Sequence, residues 1–91
     1  MMHSQTTTVT NPSGLHARPA TIFVAESKKY ACDIYIKNLT AGSERKNAKS
    51  IISLLGLALV AGSEVEVSAE GEGAESAVEN LINLIDSGLG E

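Results

Sequence analysis

One amphipathic segment constrains the fold of this 91-residue chain more than any other. Between residues 74 and 85 the apolar side chains recur at helical spacing, at i, i+3, i+4, i+7, i+8 and i+11. These residues are Ala74, Ala77, Val78, Leu81, Ile82 and Ile85. A helix with a single apolar stripe needs a second layer of structure to cover it, and Gly88 is well placed to end the helix.

Two segments with alternating polarity predict that second layer. Their apolar phases are Cys32, Ile34 and Ile36 in the first, and Val65, Val67 and Ala69 in the second. A period of two indicates half-buried strands over residues 32–37 and 64–70. We also expect a strand over the β-branched run Thr6–Thr10 and a short one around Ser43–Lys46.

Two more helices are expected between these strands. The first runs from about Ala17 to Lys29, after a loop over residues 11–15, and the second runs from an N-cap at Asn47 to about Leu55. The order is therefore β-α-β-β-α-β-α. Because each strand has a polar face, the sequence predicts a single α+β domain over residues 1–91. It is an open-faced β-sandwich, a four-stranded antiparallel sheet with three helices on one face.

Composition excludes several classes of function. The net charge of −4 argues against a nucleic-acid-binding protein. Because there is no long apolar span and no secretory pattern, we expect a cytoplasmic protein without membrane insertion. The single cysteine, Cys32, is expected to be a buried thiol, and no metal site is predicted. His3 is expected in a loose terminus without a role.

The distribution of charge is uneven. All seven Lys and Arg residues lie at or before Lys49, whereas eight of the eleven acidic residues follow it. Such a field would attract an acidic partner to one end of the molecule. The distribution alone is equally compatible with ordinary solvated charge.

The strongest functional signal is the heptad Gly14–Ala20, of sequence GLHARPA. Pro19 fits a first helical turn, so His16 is expected at the helix N-terminus. There the backbone N–H groups of Ala17 and Arg18 lack intrahelical partners, and with the Arg18 guanidinium they form a cradle for phosphate. A neutral imidazole is a nucleophile, which suggests that His16 accepts a phosphoryl group. The alternative is a capping histidine beside a solvated arginine.

The whole heptad resembles the active-site signature of the histidine-containing phosphocarrier family, HPr, of the bacterial sugar phosphotransferase system. The resemblance covers nearly the whole chain and includes the segments Asn47–Ile51 and Ser87–Glu91. It implies that His16 receives a phosphoryl group from Enzyme I and passes it to sugar-specific IIA domains, with Arg18 steadying the phosphoryl oxygens. It further implies a carrier rather than an enzyme, with no cofactor. A monomer is the default expectation, since the sequence does not determine the oligomeric state.

Ser50 is the second candidate site. On residue chemistry alone, a serine in a first helical turn is usually only a local hydrogen-bonding group. By resemblance, Ser50 falls on the regulatory serine that HPr kinase/phosphorylase modifies and that a catabolite-control transcription regulator recognises.

The segment after Ser50 holds more apolar residues than one buried stripe accommodates. The core is expected to take Leu54, Leu57 and Leu59. Ile51, Ile52 and Leu55, together with Lys49, are expected to form a partly exposed patch that docks partner proteins, unless all the apolar residues are buried. Family members often have Met or Phe in place of Ile52 and Gly in place of Ala58, and Gly tolerates a positive φ.

Three other functions remain open. A purely regulatory HPr-like protein would typically lack the histidine, so His16 argues against it. A small-molecule-binding α+β domain would need an aromatic-lined pocket, for which the chain offers only Phe23, Tyr30 and Tyr35. A nitrogen-related carrier is a close variant, although the Ser50 motif favours the sugar branch.

Overall fold

The structure, a computed structural model, describes residues 2–91. Its elements are β1 (Met2–Thr8), α1 (Ala17–Ser27), β2 (Asp33–Asn38), β3 (Lys46–Asn47), α2 (Ile51–Leu55), β4 (Glu64–Glu70) and α3 (Ala74–Asp86). The strands form one antiparallel sheet in the order β1-β4-β2-β3. The predicted α+β architecture is therefore confirmed. No helix within residues 2–91 has the length and apolarity needed to cross a membrane.

The central strands β2 and β4 supply the sheet side of the core. Ile34 lies opposite Ala69 and Ile36 opposite Val67, so these side chains share one face, and all four are buried. The helices cover that face, and α3 buries all six residues of its predicted apolar stripe. Alternation in the strands and the 3.6-residue period in the helix therefore identified the core correctly.

The first strand begins earlier than its sequence signal predicts. All seven residues of Met2–Thr8 pair with β4, from Glu70 back to Glu64. Thr10 lies outside the strand, and Val9 is buried, with its N–H donating to the Ser63 carbonyl at 2.8 Å. The expectation that His3 lies in a loose terminus is wrong, because His3 pairs with Ala69. Backbone pairing with β4 defines this strand, and the polar residues before Thr6 show no periodicity that would reveal it.

The predicted N-cap of the second helix is also wrong. Asn47 ends β3, and its side-chain oxygen accepts a hydrogen bond from the Lys49 backbone N–H at 2.9 Å. Ser50 is the N-cap of α2 instead. Asn and Ser are both good capping residues, and here the asparagine makes a local turn that uses up its capping oxygen.

Two smaller boundaries differ as well. Helix α1 ends at Ser27 with Lys28 as its C-cap, two residues before the predicted end. Strand β3 covers Lys46–Asn47 rather than Ser43–Lys46, because Ser43 closes the preceding turn: its N–H donates to the Asn38 carbonyl and its hydroxyl accepts from the Asn38 N–H.

Candidate functional site

The structure places His16 at the start of α1, as the heptad predicts. His16 is the N-cap residue, with an extended backbone (φ −128°, ψ 161°) and no capping hydrogen bond from its half-buried side chain. Arg18 is exposed and forms no ion pair within residues 2–91. The first N–H groups of a helix have no intrahelical acceptor, so this helix end presents Ala17 and Arg18 donors beside an imidazole and a guanidinium.

Ala17 has a left-handed backbone that the sequence does not signal. Its φ is +50°, although it is an exposed non-glycine residue at the first helical position. This conformation costs a non-glycine residue about 1–2 kcal/mol. Local backbone strain of this kind is concentrated at functional sites, and here it falls directly after the candidate nucleophile.

The loop that leads into His16 is held against the segment that follows α2. The Leu15 N–H donates to the Leu59 carbonyl at 2.9 Å. Gly14 has φ +65°, and a Cβ added there would lie 2.3 Å from the Leu59 oxygen, so only glycine fits. The glycine of the heptad is therefore explained by close backbone contact between the two candidate regions.

Ser50 caps α2 through its side chain. Its hydroxyl oxygen accepts a hydrogen bond from the Ser53 N–H at 3.2 Å, and the residue is half-buried. The local hydrogen-bonding role is therefore present in the structure. Modification of Ser50 stays a prediction.

Lys49 packs against the connection between α1 and β2. Its ammonium donates to the carbonyl oxygens of Tyr30, at 2.6 Å, and Cys32, at 2.8 Å. Lys49, directly before Ser50, is therefore held against the segment that connects α1 to β2. Its role in docking partners is untested.

The apolar residues around α2 divide as predicted between core and surface. Leu54, Leu57 and Leu59 are buried. Ile51 and Leu55 are 38% and 41% exposed, and Ile52 is 81% exposed. Val60, which the sequence analysis did not assign, is also exposed.

An open groove of about 340 Å³ lies between α1 and α2. Thr21, Val24, Ala25 and Lys28 line one side and Ile51 the other. A larger open groove of about 530 Å³ contains none of the predicted site residues. Its lining is Thr6, Thr7, Thr8, Thr10, Leu39, Glu64 and Asp86. Among the described residues, no three His, Cys, Asp or Glu side chains are grouped to hold a metal ion.

Sequence reasoning missed three polar residues near this site. The Glu91 carboxylate accepts hydrogen bonds from the Asn11 amide at 2.9 Å and from the Ser13 hydroxyl at 2.6 Å, in the loop before His16. These contacts join residues 78 to 80 positions apart, so no local pattern could have revealed them.

The chain matches one protein family over almost its whole length. The sequence profile described as "PTS HPr component phosphorylation site" matches residues 3–87. The phosphocarrier protein HPr of Vibrio cholerae is 41% identical over 85 residues, which cover 93% of this chain and 96% of that protein. The crystal structure of HPr-C-His from Thermoanaerobacter tengcongensis superposes with a TM-score of 0.91 and 37% identity, covering 98% of this chain and 97% of the other.

Longer relatives contain a similar segment. The multiphosphoryl transfer protein of Haemophilus influenzae is 40% identical over 83 residues, which are 91% of this chain and 17% of that protein. The chain spans 22% of the corresponding Vibrio cholerae protein. The profile and the relatives together show that the chain belongs to the HPr family of the phosphotransferase system.

Proposed function

We propose that this chain is a phosphocarrier of a bacterial sugar phosphotransferase system, working in the cytoplasm. The observation that carries the proposal is the position of His16 as the N-cap of α1, with exposed Arg18 in the first turn and no side-chain cap. The membership of the HPr family supports the same chemistry. The chain is a carrier that its partners charge and discharge, rather than an enzyme acting alone.

The proposed transfer moves one phosphoryl group between histidines. A nitrogen of the His16 imidazole bonds to phosphorus as the phosphorus–nitrogen bond on Enzyme I breaks, and Enzyme I is itself charged from phosphoenolpyruvate. The N–H groups of Ala17 and Arg18 and the Arg18 guanidinium stabilise the phosphoryl oxygens. The group then passes by the same exchange to a histidine of a IIA domain. Such transfers depend mainly on alignment and charge stabilisation.

The groove between α1 and α2, with the exposed residues of α2, is proposed as the docking surface. Ile52 at 81% exposure and Leu55 at 41% offer apolar side chains next to the groove that Ile51 lines. Lys28, the exposed C-cap of α1, lines the groove, and Arg18 is exposed in the first turn of the same helix; both add positive charge around this surface. An apolar centre with a basic rim suits an acidic partner surface, which we assign to Enzyme I and the IIA domains.

Ser50 is proposed as a regulatory site for HPr kinase/phosphorylase. A phosphate there adds about −1.5 to −2 charge directly before Ile51 of the docking surface. An acidic Enzyme I surface is then repelled, whereas a basic surface of a catabolite-control regulator gains a ligand.

A two-step chase tests the carrier function. The chain is first phosphorylated with Enzyme I, Mg²⁺ and phosphoenolpyruvate, then purified from Enzyme I and mixed with a IIA domain from the same organism. We expect the phosphoryl group to leave this chain and appear on the IIA domain, as read by intact mass. A charged chain that keeps its phosphoryl group in the presence of an active IIA domain would contradict the proposal.

A further inference from the structure

The segment after α3 turns back sharply through three consecutive left-handed residues. Gly88, Leu89 and Gly90 have φ values of +94°, +53° and +84°. Leu89 is fully buried, and the Glu91 N–H donates to the Gly88 carbonyl at 3.0 Å. A left-handed leucine costs about 1–2 kcal/mol, so its burial in the core must hold this turn in place.

The turn delivers the Glu91 side chain to the loop before His16. One carboxylate oxygen accepts from the Ser13 backbone N–H at 3.0 Å and from the Asn11 amide at 2.9 Å. The other oxygen accepts from the Ser13 hydroxyl at 2.6 Å. Three hydrogen bonds to one carboxylate are charge-assisted, and they lower the pKa of Glu91, with the Ser13 hydroxyl contributing most and the Asn11 amide next. The carboxylate is therefore ionised at neutral pH.

The loop that Glu91 holds is continuous with the candidate nucleophile. Asn11 is buried, and its amide also donates to the Gly14 carbonyl at 2.8 Å. The Gly14 N–H donates back to the Asn11 carbonyl at 3.1 Å. The next residue along the chain, Leu15, donates its N–H to the Leu59 carbonyl. Contacts from Glu91 and from Leu59 thus hold consecutive parts of the chain that leads into His16.

From this arrangement we infer that Glu91 is a positioning residue for phosphoryl transfer: its carboxylate fixes the 11–14 loop and thereby the orientation of His16. The inference rests on the proposed carrier function. Glu91 acts through Asn11 and Ser13 and is assigned no contact with the phosphoryl group. A small displacement of a reacting group is enough to lower a transfer rate strongly, which gives a held loop a kinetic consequence.

The test compares Glu91→Ala, Glu91→Gln and Ser13→Ala with the control Glu79→Ala, which removes an exposed carboxylate from α3 and so matches the change in charge. Steady-state phosphorylation by Enzyme I separates kcat from KM. We expect Glu91→Ala to lower kcat by about tenfold or more with KM unchanged, because the docking groove is intact. Glu91→Gln, which keeps one accepting oxygen, should recover part of the loss. Glu79→Ala should behave as wild type.

Amide hydrogen exchange gives a second readout that needs no partner protein. In Glu91→Ala, exchange at Ser13 and Gly14 should be at least about tenfold faster than in wild type and in Glu79→Ala. Wild-type kcat in Glu91→Ala, a change confined to KM, or unchanged exchange at Ser13 would each overturn the inference. If Enzyme I fails to charge the wild-type chain, the carrier function itself is refuted, and exchange alone then decides whether Glu91 holds the loop.

Discussion

The two helices that carry the candidate sites begin in different ways. At α1 the N-cap residue is His16, whose side chain makes no capping bond, and the next residue is a strained alanine. At α2 the N-cap residue is Ser50, whose hydroxyl accepts a hydrogen bond from the Ser53 N–H. One helix end is stabilised by its own side chain, and the other is not.

We interpret the uncapped start of α1 as suited to bind an external anion, and the capped start of α2 as stabilised by its own side chain. A helix end without a side-chain cap leaves backbone donors for an external anion, at some cost in stability. At α2 the Ser50 hydroxyl already accepts from the Ser53 N–H, so we expect a phosphate on Ser50 to act mainly through its charge next to Ile51. The comparison predicts that substitutions at the start of α1 affect phosphoryl transfer. Substitutions at the start of α2 should instead affect stability, partner binding or both, depending on the residue introduced.

The largest expected effect is on transfer through Arg18. Arg18→Ala should lower the rate of phosphorylation by about a hundredfold, because it removes the charged donor that we propose stabilises the phosphoryl oxygens. The matched control is Lys29→Ala: this lysine lies beyond the C-terminal end of α1, and its pKa is raised by a hydrogen bond to Glu26 and by the charge of that residue. Stopped-flow or quench-flow transfer from Enzyme I would measure both. Equal rates for the two variants would contradict the role of Arg18.

Two substitutions of Ser50 separate its capping role from its charge. Ser50→Ala should cost about 1 kcal/mol by loss of the cap, and so lower Tm by about 4–8 °C, with transfer nearly unchanged. Ser50→Asp keeps a good capping oxygen, so Tm should hold, but the added charge should slow phosphorylation under limiting Enzyme I by about tenfold. Calorimetry and the transfer assay together test the pair. Unchanged transfer in Ser50→Asp would remove the case for charge-based regulation.

A substitution of Ile52 in α2 separates an effect on partner docking from an effect on stability. Ile52→Ala should raise KM for Enzyme I by about fivefold to tenfold, as expected for an apolar contact at the centre of an interface. Because Ile52 is 81% exposed, stability should change by less than about 0.5 kcal/mol. Leu39→Ala, another exposed apolar residue that lies outside α1 and α2, is the control. The docking assignment fails if both variants keep the wild-type KM.

The smallest expected effect concerns the exit of α2. Ala58 has φ +53°, so the backbone there is the left-handed one that a glycine would favour. Ala58→Gly should stabilise the protein by about 0.5–1 kcal/mol, because relief of the left-handed strain exceeds the added entropy of the unfolded chain. Ala61→Gly, at an exposed position without a positive φ, should instead destabilise by about 0.4–1 kcal/mol. Denaturant unfolding of both variants measures the difference, and a loss of stability in Ala58→Gly would show that its φ is not strained.

Periodicity predicted the parts of the fold that bury side chains. The stripe of α3 and the alternation of β2 and β4 identified the helix faces and the sheet face of the core. Strand β1 lacks such a signal, because its residues after Met2 are all polar and its pairing depends on the backbone of β4. When a strand is defined by pairing with a distant segment, its own sequence does not show where it begins and ends.

The candidate site was predictable where a single residue dictates local structure. Pro19 and Gly14 located the helix start and the loop before it, and His16 and Arg18 lie where the heptad predicts. The N-cap at Ser50 was not predictable, since Asn47 is as good a capping residue. The left-handed backbone of Ala17 and the contacts of Glu91 with Asn11 and Ser13 depend on tertiary packing. The local sequence pattern therefore predicts neither of them.

The central claim is that His16 is the residue that accepts the phosphoryl group. Intact mass after incubation with Enzyme I, Mg²⁺ and phosphoenolpyruvate, on wild type and His16→Ala, tests it most directly. Acid treatment follows, because phosphohistidine is labile in acid and phosphoserine is not. The account predicts one acid-labile phosphoryl group on the wild-type chain and none on His16→Ala. An uncharged wild-type chain in the presence of an active, compatible Enzyme I, or a charged His16→Ala variant, would contradict it.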